Sequence, residues 1–190
     1  MIIKCFGETH EHILFMDLEF NGQELVQFSG LLFVQIEPET YQLMSSINQY
    51  ITTKVCYPFM EYTNITNTFL EENGIPLKDF VGILQEEFLG DVDLNGLLVV
   101  SHGLKNDRGV LSNAGINLIS CGDKPIDGYC TFNNARRILN RANQLKLDDL
   151  AYEAGYYLHN AHNAYGDAWA TVAVFTFLKK IEAQKKGACC

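Results

Sequence analysis

The sequence predicts an α/β protein built on a mixed β-sheet with helices packed against it. Two apolar strand patterns come first, at residues 13–20 and 24–36, and a third short apolar run follows at residues 96–102. Helical patterns lie before and after the third apolar run. The helix predicted at about residues 165–185 is apolar nearly all round in its first half. Because such a helix is buried against a sheet, strands and helices are expected to share one core.

The composition is that of a folded globular chain. Apolar residues make up 47% of the 190 residues and charged residues 19%, which excludes a disordered protein and allows one substantial core. We expect a single domain over residues 1–190, with its core at about 13–180 and a short tail at 181–190. The formal net charge of −9 argues against tight non-specific binding to long duplex nucleic acid. Acidic residues that hold metal ions would account for part of that charge.

Three features of the sequence bear on the location of the protein. The chain has no run of about 18 apolar residues and no secretory pattern in residues 1–12. Its six cysteines are scattered, without a Cys-x-x-Cys pair. We therefore expect a cytoplasmic protein with free thiols and no membrane contact.

The first strand pattern, at residues 13–20, carries two carboxylates near its C-terminal end. Side chains two positions apart point to the same face of a strand, so Asp17 and Glu19 share one face of an otherwise apolar segment. Two like charges there repel each other, and a divalent metal ion is the usual compensation. The alternative is that both carboxylates reach solvent from a strand edge.

The segments after the first strand are predicted to be a strand, an ambiguous stretch and two helices. Residues 24–36 are dense in Val, Leu, Phe and Ile and should run antiparallel to the first strand across an Asn21-Gly22 turn. Residues 40–55 fit either a third strand or a short helix. Residues 64–73 and 76–89 have helical patterns, with a Gly-Ile-Pro break between them.

The second half of the chain alternates short strand and helix patterns. The buried run at residues 96–102 is followed by a helix that begins at Asp107 and ends near residue 115. Residues 119–129 contain several Gly, Pro and Asp residues and are predicted to be loop. Two further helical patterns lie at residues 132–142 and 147–158.

Asp167 stands at the start of the last, nearly wholly apolar helix. An unpaired carboxylate there costs several kcal/mol, of which the dipole of the helix N-terminus offsets only about 1 kcal/mol. A metal ion shared with Asp17 and Glu19 would remove that cost. His162 precedes Asp167 by five residues, which is about 140° around an ideal helix. We therefore place His162 in the loop before the helix, free to turn toward the metal.

Three short motifs now stand in a recognisable order. The first is Asp17-Leu18-Glu19, the second is His102 with Asp107 five residues on, and the third is the His-x-Ala-x-x-Asp-Ala segment at residues 162–168. Together they resemble the ribonuclease-H-like 3′-to-5′ exonucleases of the DEDDh type (DnaQ-like), the group of the proofreading epsilon subunit, ribonuclease T and oligoribonuclease. The resemblance covers about residues 13–180. It implies a ribonuclease-H-like mixed β-sheet flanked by helices on both faces.

The resemblance also implies a centre that binds two Mg²⁺ or Mn²⁺ ions at the scissile phosphate. Asp17 would bind both ions. Glu19 and Asp167 would complete the first metal site, and Asp107 would support the second. His162 would be the general base, because a neutral imidazole titrates near the working pH. Taken singly, Asp107 could equally be a helix N-cap and His162 an ordinary polar loop residue.

The same resemblance implies the residues that contact the 3′-terminal nucleotide. They are Leu18, Phe20, His102 and Tyr165. Phe20 and Tyr165 are candidates for stacking on a terminal base, and the alternative is that either ring belongs to the core. The chain departs from the family pattern at Phe20, where Thr is common, at Gly103, where Asn is usual, and at Asn106, where an aromatic residue is usual. These departures leave the substrate preference open.

The activity implied is metal-dependent hydrolysis of phosphodiester bonds from the 3′ end of single-stranded DNA or RNA, with release of nucleoside 5′-monophosphates. A relative specialised for very short oligonucleotides is a second interpretation. A third is a nuclease-fold interaction subunit, for instance of a polymerase, with little activity of its own. A homodimer is also compatible with the sequence. No residue type marks a preference for DNA or RNA, because that selection depends on contacts to the 2′-OH.

Three other groups of residues admit plainer interpretations. A basic stretch on or beside a predicted helix could follow a phosphate backbone or form an ordinary solvated face. It comprises Arg136, Arg137, Arg141 and Lys146. His10, His12 and His159 lack convincing metal-ligand spacing and are predicted to be solvated. The Cys189-Cys190 pair superficially resembles a prenylation tail, an interpretation that the sequence favours least.

Overall fold

The computed structural model describes residues 1–142, 145–157 and 162–187. The strands within these residues are β1 (Ile2–Lys4), β2 (His12–Asn21), β3 (Glu24–Glu37), β4 (Thr40–Tyr50), β5 (Leu97–Ser101), β6 (Ser120–Cys121), β7 (Lys124–Pro125) and β8 (Asp127–Cys130). The helices are α1 (Tyr57–Thr63), α2 (Asn67–Asn73), α3 (Leu77–Gly82), α4 (Leu104–Asn113), α5 (Thr131–Leu139), α6 (Leu147–Glu153) and α7 (Ala164–Gly187). A π-helical segment (Ile83–Phe88) continues α3, and a 3₁₀ turn (Leu94–Gly96) precedes β5.

Six of the strands form one mixed sheet in the order β1-β4-β3-β2-β5-β8. β2 runs antiparallel to β3 and parallel to β5, and β8 extends the parallel side. The predicted antiparallel partner of the first strand is therefore confirmed. The turn between them is confirmed too, and Gly22 has there a φ of +68°, which favours glycine. A separate two-stranded ribbon pairs β6 with β7.

Alternation along β2 places apolar side chains on both faces of the sheet. Ile13 and Phe15 point toward α7, where the ring of Phe175 lies edge-on, 5.3 Å from that of Phe15. Leu14 and Met16 point to the opposite face, against α3 and α4. Full burial of each such side chain contributes roughly 2 kcal/mol. Helices therefore cover both faces, as the resemblance predicted.

The last predicted helix is confirmed as α7, which packs across β2, β3 and β5. Its small and apolar residues near the start, among them Ala168 and Val172, face the sheet. Others, among them Ala170 and Val174, pack against α5 and α6, which lie outside it. α7 is apolar nearly all round because it lies between the sheet on one side and α5 and α6 on the other.

Three segments differ from the prediction. Residues 40–50 form β4, which settles the open choice between strand and helix. β6, β7 and the first three residues of β8 lie within residues 119–129, so the prediction of loop there is wrong. Asp127 and Gly128 are poor strand formers, but the edge of β5 supplies their backbone partners. The short elements β1 and α1 are absent from the prediction, although Pro58 at the first turn of α1 is a start signal.

Helix boundaries matter most at α4. The helix begins at Leu104, three residues before the predicted start, so Asp107 lies in its first turn and Gly103 takes the N-cap position. The alternative interpretation of Asp107 as an N-cap is therefore wrong. α6 is shorter than predicted and ends at Glu153, because the chain adopts a φ of +82° at Gly155.

The N-terminal histidines are not solvated, contrary to the prediction. His10 lies between two carboxylates: its Nδ1 contacts Glu8 Oε1, and its Nε2 lies 2.9 Å from Asp127 Oδ2. His12 is only 7% exposed because it begins the central strand β2. The lack of metal-ligand spacing among these histidines therefore did not indicate that their side chains are exposed. Tertiary packing decides whether such a side chain is buried.

The predictions for one histidine and for the C-terminal cysteine pair concern residues that the structure does not describe. His159 and the Cys189-Cys190 pair lie outside the described residues. Across residues 1–142, 145–157 and 162–187, none of the helices combines the length and the hydropathy that crossing a lipid bilayer requires.

Candidate active site

A cavity of about 840 Å³ opens at the carboxyl ends of β2 and β5. These strands are parallel neighbours, so their C-terminal ends meet at the same edge of the sheet. α4 follows β5 directly, and α7 packs on β2 with its first turn at the cavity. The cavity thus collects side chains from the three parts of the chain that carry the motifs.

Three carboxylates meet in this cavity. Asp17 and Glu19 continue the face of β2 that Ile13 and Phe15 present to α7, and Asp167 lies in the first turn of α7. One carboxylate oxygen from each of the three lies within 4.8 Å of the others. Glu19 and Asp167 are each 9% exposed. Like charges this close and this buried repel each other strongly.

Burial and mutual repulsion raise the pKa of these carboxyl groups. For Asp17, burial is the largest cause and the neighbouring carboxylates add to it, so its pKa lies well above the ordinary range. Burial, followed by the charge of Asp167, raises the pKa of Glu19 to about 7. Burial also raises the pKa of Asp167 to about 6, although the backbone N–H of His162 acts in the opposite direction. The cluster is short of positive charge.

Asp107 reaches the same cavity from the first turn of α4. It is 6% exposed, and burial raises its pKa. The hydroxyl of Ser101, fully buried at the end of β5, donates to Asp107 Oδ2 and acts against that rise. The Ser101 oxygen in turn accepts a hydrogen bond of 3.1 Å from the N–H of Gly103. Ser101 therefore holds Asp107 in place and favours its ionised form.

His162 lies in the loop directly before α7, as predicted, with a left-handed φ of +66°. Its backbone N–H donates to Asp167 Oδ2 over 3.2 Å, which ties this loop to the carboxylate cluster. Its ring packs on the ring of Tyr62 from α1, with centroids 3.8 Å apart. The imidazole therefore lines the cavity between the cluster and Tyr62.

The four predicted substrate-contacting residues divide into two groups. Leu18, Phe20 and His102 line the cavity. Tyr165 does not belong to its lining, because its ring faces Trp169 edge-on at 6.4 Å and is partly exposed. The structure therefore brings three of the four together with the carboxylates.

His102 lines the cavity with both of its ring nitrogens already engaged. Nδ1 lies 2.9 Å from Thr131 Oγ1, and Nε2 lies 3.0 Å from the carbonyl oxygen of Leu145. Burial lowers the pKa of His102, which favours the neutral imidazole. In that form Nε2–H donates to the carbonyl and Nδ1 accepts from the hydroxyl. His102 thus joins β5 to α5 and to the segment before α6.

Several residues that shape the cavity are absent from the prediction. Gln27, fully buried on β3 opposite Glu19, accepts a hydrogen bond of 3.3 Å from the N–H of Ala164 and so fixes the start of α7. The sequence did contain a signal for Gln27: a polar amide side chain inside an apolar strand needs a hydrogen-bond partner when it is buried. Aromatic rings from α1 and α5 also line the cavity. They are Phe59, Tyr62 and Phe132.

The donor set fits a hard divalent cation. Carboxylate oxygens are the ligands that Mg²⁺ and Mn²⁺ prefer, and three of them converge here from β2 and α7. Asp107 and Asp148 add two further carboxylates to the cavity lining. Burial and nearby carboxylates raise the pKa values of Glu19 and Asp167, and a bound cation would act against both causes by favouring the ionised forms. The cluster is therefore suited to a divalent metal.

Comparison with known proteins gives likeness in structure alone. No family model and no curated protein matches the sequence. The zinc-bound form of E. coli exonuclease I with single-stranded DNA has a TM-score of 0.68 and 15% identity, over 90% of this chain and 41% of that chain. Exonuclease X in complex with 5′-overhanging duplex DNA has a TM-score of 0.62 and 15% identity, over 90% and 92%. A 3′-exonuclease described in 3′-end-specific recognition of a histone mRNA stem-loop has a TM-score of 0.64 and 12% identity, over 95% and 84%.

This likeness bears on the fold of the described residues. The chain spans about two fifths of the length of the exonuclease I chain that it matches, and most of the other two. Each match covers 90% or more of this chain. The chain therefore has the fold of these exonucleases, which is the ribonuclease-H-like fold that the resemblance predicted.

Proposed function

We propose that this chain is a metal-dependent 3′-to-5′ exonuclease, acting on single-stranded DNA or RNA and releasing nucleoside 5′-monophosphates. The observation that carries the proposal is the convergence of Asp17, Glu19 and Asp167 within 4.8 Å. Asp107 and His162 line the same cavity. The shared fold with exonucleases supports the proposal, because in those proteins the fold accompanies this class of reaction.

The side chains of the cavity have separable roles in this reaction. Two Mg²⁺ or Mn²⁺ ions would stabilise the negative charge that develops on the scissile phosphate. The carboxylates that would hold them are Asp17, Glu19, Asp107 and Asp167. His162 accepts the proton of the attacking water. Its backbone N–H contacts Asp167 and its ring packs on Tyr62, which supports a position of the imidazole beside a phosphate bound at the carboxylates. Positioning of this kind lowers the barrier without further rearrangement.

The aromatic rings of the cavity account for binding of the terminal nucleotide. Phe20, Phe59, Tyr62 and Phe132 come from different parts of the chain and line one space. Stacking of a base on such a ring is worth about 1–3 kcal/mol and tolerates every base. The site should therefore degrade single strands with little regard to sequence.

Replacing Ser101 by alanine is expected to lower kcat/KM for cleavage at the 3′ end by about 10- to 100-fold. The variant leaves Asp107 buried without its hydroxyl donor, which raises the pKa of Asp107 further and moves the acidic limb of the pH profile to higher pH. The pH dependence of kcat/KM at saturating Mg²⁺ measures both effects. Ser112→Ala, on the exposed part of α4, is the matched control. An unshifted profile would show that Ser101 does not tune Asp107.

The proposed activity is tested with 5′-labelled single-stranded 20-mers of DNA and of RNA. Each is incubated with Mg²⁺, Mn²⁺ or EDTA, and the products are separated by length. We expect a metal-dependent ladder that shortens from the 3′ end, and the faster substrate identifies the preferred sugar. A protein that is folded yet leaves both 20-mers and short oligonucleotides intact would contradict the proposal. It would favour an interaction subunit with the nuclease fold instead.

The cellular location, the domain organisation and the partners of the protein are also matters of proposal. We propose a cytoplasmic location, which the free thiols of Cys5, Cys56, Cys121 and Cys130 support, because the cytosol keeps thiols reduced. We also propose that residues 1–190 act as one exonuclease domain. A homodimer or a polymerase-type partner stays a prediction from the sequence.

A further inference from the structure

A second cavity, of about 410 Å³, lies along α5 and the turn after it. We call it the arginine cavity. Its lining residues are Asn133, Arg136, Arg137, Asn140, Arg141 and Ala142. Three guanidinium groups and two side-chain amides therefore surround one space, and none of these described lining residues carries a carboxylate. The grouping is unusual for a chain whose formal net charge is −9.

The local structure explains why these side chains converge. Positions 133, 136, 137 and 140 recur at spacings of three and four, so they share one face of a helix. α5 ends at Leu139, and the left-handed φ of +53° at the following residue, Asn140, turns the chain and brings Arg141 beside that face. The local sequence therefore gives α5 a basic face, and the turn after the helix adds Arg141 to that face.

Two of the arginines are held in place by carboxylates from the neighbouring helices. Arg137 pairs with Glu182 of α7, and Arg141 pairs with Glu153 of α6, each at 2.5 Å. Each pair uses one nitrogen, and a guanidinium has five N–H donors, so donors remain for a further anion. The arginine side chains are 63% and 45% exposed. Pairs this exposed contribute little stability, so a phosphate can compete with either carboxylate for its arginine.

The arginine cavity is joined to the candidate active site through one aromatic ring. The guanidinium carbon of Arg136 lies 5.9 Å from the centroid of the Phe132 ring, in a cation–π contact. Phe132 lines the active-site cavity, and Arg136 lines the arginine cavity. The two residues are one helical turn apart, about 6 Å along the axis. Lys146, which follows the same turn, lines the active-site cavity as well.

We propose that the arginine cavity binds backbone phosphates of the substrate strand, on the 5′ side of the nucleotide held in the active site. The proposal rests on the proposed function, because it assigns the path of that substrate. Guanidinium groups bind phosphate oxygens bidentately, and side-chain amides donate to them as well. A single strand whose terminal base stacks among the rings of the active site would continue over Phe132 and Arg136 into this cavity.

The test compares a variant of the cavity with a variant that loses the same charge elsewhere. Arg136→Ala/Arg137→Ala/Arg141→Ala is the cavity variant. The control is Lys4→Ala/Lys78→Ala/Lys124→Ala, since these lysines are exposed on β1, α3 and β7. Affinity for a fluorescent single-stranded 20-mer is measured in EDTA, over a range of salt concentrations. Hydrolysis of a p-nitrophenyl ester of a nucleoside 5′-monophosphate, with Mg²⁺ or Mn²⁺, measures the active site alone.

We expect the cavity variant to bind the 20-mer about 10- to 100-fold more weakly than the control does. The slope of log affinity against log salt should fall by about 0.7 for each phosphate that the cavity no longer neutralises. The loss in kcat/KM for the 20-mer should exceed the loss for the ester at least tenfold. Arg136→Ala provides a second variant, because Arg136 has no ion pair within the described residues and its replacement leaves both pairs to α6 and α7 intact.

The outcomes separate this proposal from the proposed function. Equal affinity and equal salt slope in the cavity variant and the control would overturn the arginine cavity while the nuclease activity stands. Binding that depends on the cavity, in a protein that cleaves neither substrate, would overturn the nuclease activity and keep the cavity. A wild-type protein that does not bind the 20-mer at all would overturn the cavity proposal.

Discussion

Replacing Asp17 by asparagine is expected to abolish cleavage and, at the same time, to stabilise the metal-free protein. Asp17 lies close to Glu19 and Asp167, and the ionised form of its carboxyl group is disfavoured by all three of Glu19, Asp107 and Asp167. Metal ions supply several kcal/mol of transition-state stabilisation, and a loss of about 4 kcal/mol corresponds to a rate lower by about a thousandfold. Removal of a buried like charge should raise the free energy of unfolding by about 1–2 kcal/mol in EDTA.

The two effects are measured on the same preparation. Single-turnover cleavage of the 20-mer gives the rate, and thermal unfolding in EDTA gives a midpoint that should rise by a few degrees. Asp91→Asn is the matched control, because Asp91 is exposed and does not line the cavity. Full activity of the Asp17 variant would show that the carboxylate cluster is not the catalytic centre. A lower midpoint would show that Asp17 is not repelled by its neighbours.

Acidification is expected to stabilise the metal-free protein, and divalent metal is expected to stabilise it at alkaline pH. Glu19 has a pKa of about 7 and Asp167 one of about 6, against ordinary values of 4.5 and 3.8. A carboxyl group with a raised pKa binds its proton more tightly in the folded than in the unfolded state. The free energy of unfolding therefore falls as the pH rises from about 4 to 7, by a few kcal/mol in total for the cluster. At pH 8 a bound cation replaces the missing protons and restores that stability.

Thermal unfolding between pH 5 and pH 8.5, in EDTA and in Mg²⁺, checks this expectation. His10 adds a slope of the same sign, because its two carboxylate partners raise its pKa and its stabilising charge is lost as the pH rises. Glu19→Gln separates the two contributions: its slope in EDTA should be shallower, and its response to Mg²⁺ should be smaller. A midpoint in EDTA that rises steadily with pH in the wild-type protein would contradict the description of the cluster as a group of repelling carboxylates.

The parts of the site that the sequence predicted are those that depend on local geometry. Strand alternation puts Asp17 and Glu19 on one face whatever the rest of the chain does. The angular separation of His162 from Asp167 required a loop, and His162 lies in one. The apolar character of α7 indicated that this helix is buried. Its packing against β2 places Asp167 beside Asp17 and Glu19. Each inference needed only a few neighbouring residues.

The parts that were missed depend on contacts between distant segments. Gln27 supports the start of α7 across 137 positions of sequence, and nothing near Gln27 announces that partner. Tyr62 meets His162 through a helix, α1, that the pattern did not predict. β8 is a strand because β5 offers it an edge, although its own residues favour a turn. Tertiary partners override local preference at each of these places.

The docking of α7 on β2 also has a consequence for how the molecule folds. The β2–β3 hairpin closes over a short stretch of chain, whereas Asp167 meets Asp17 only when segments about 150 positions apart come together. Contacts of such high sequence separation form late and slow the search. The chain therefore meets the repulsion among its carboxylates near the end of folding. A cation at the cluster should then act on the lifetime of the native state, through the unfolding rate, and leave the folding rate nearly unchanged.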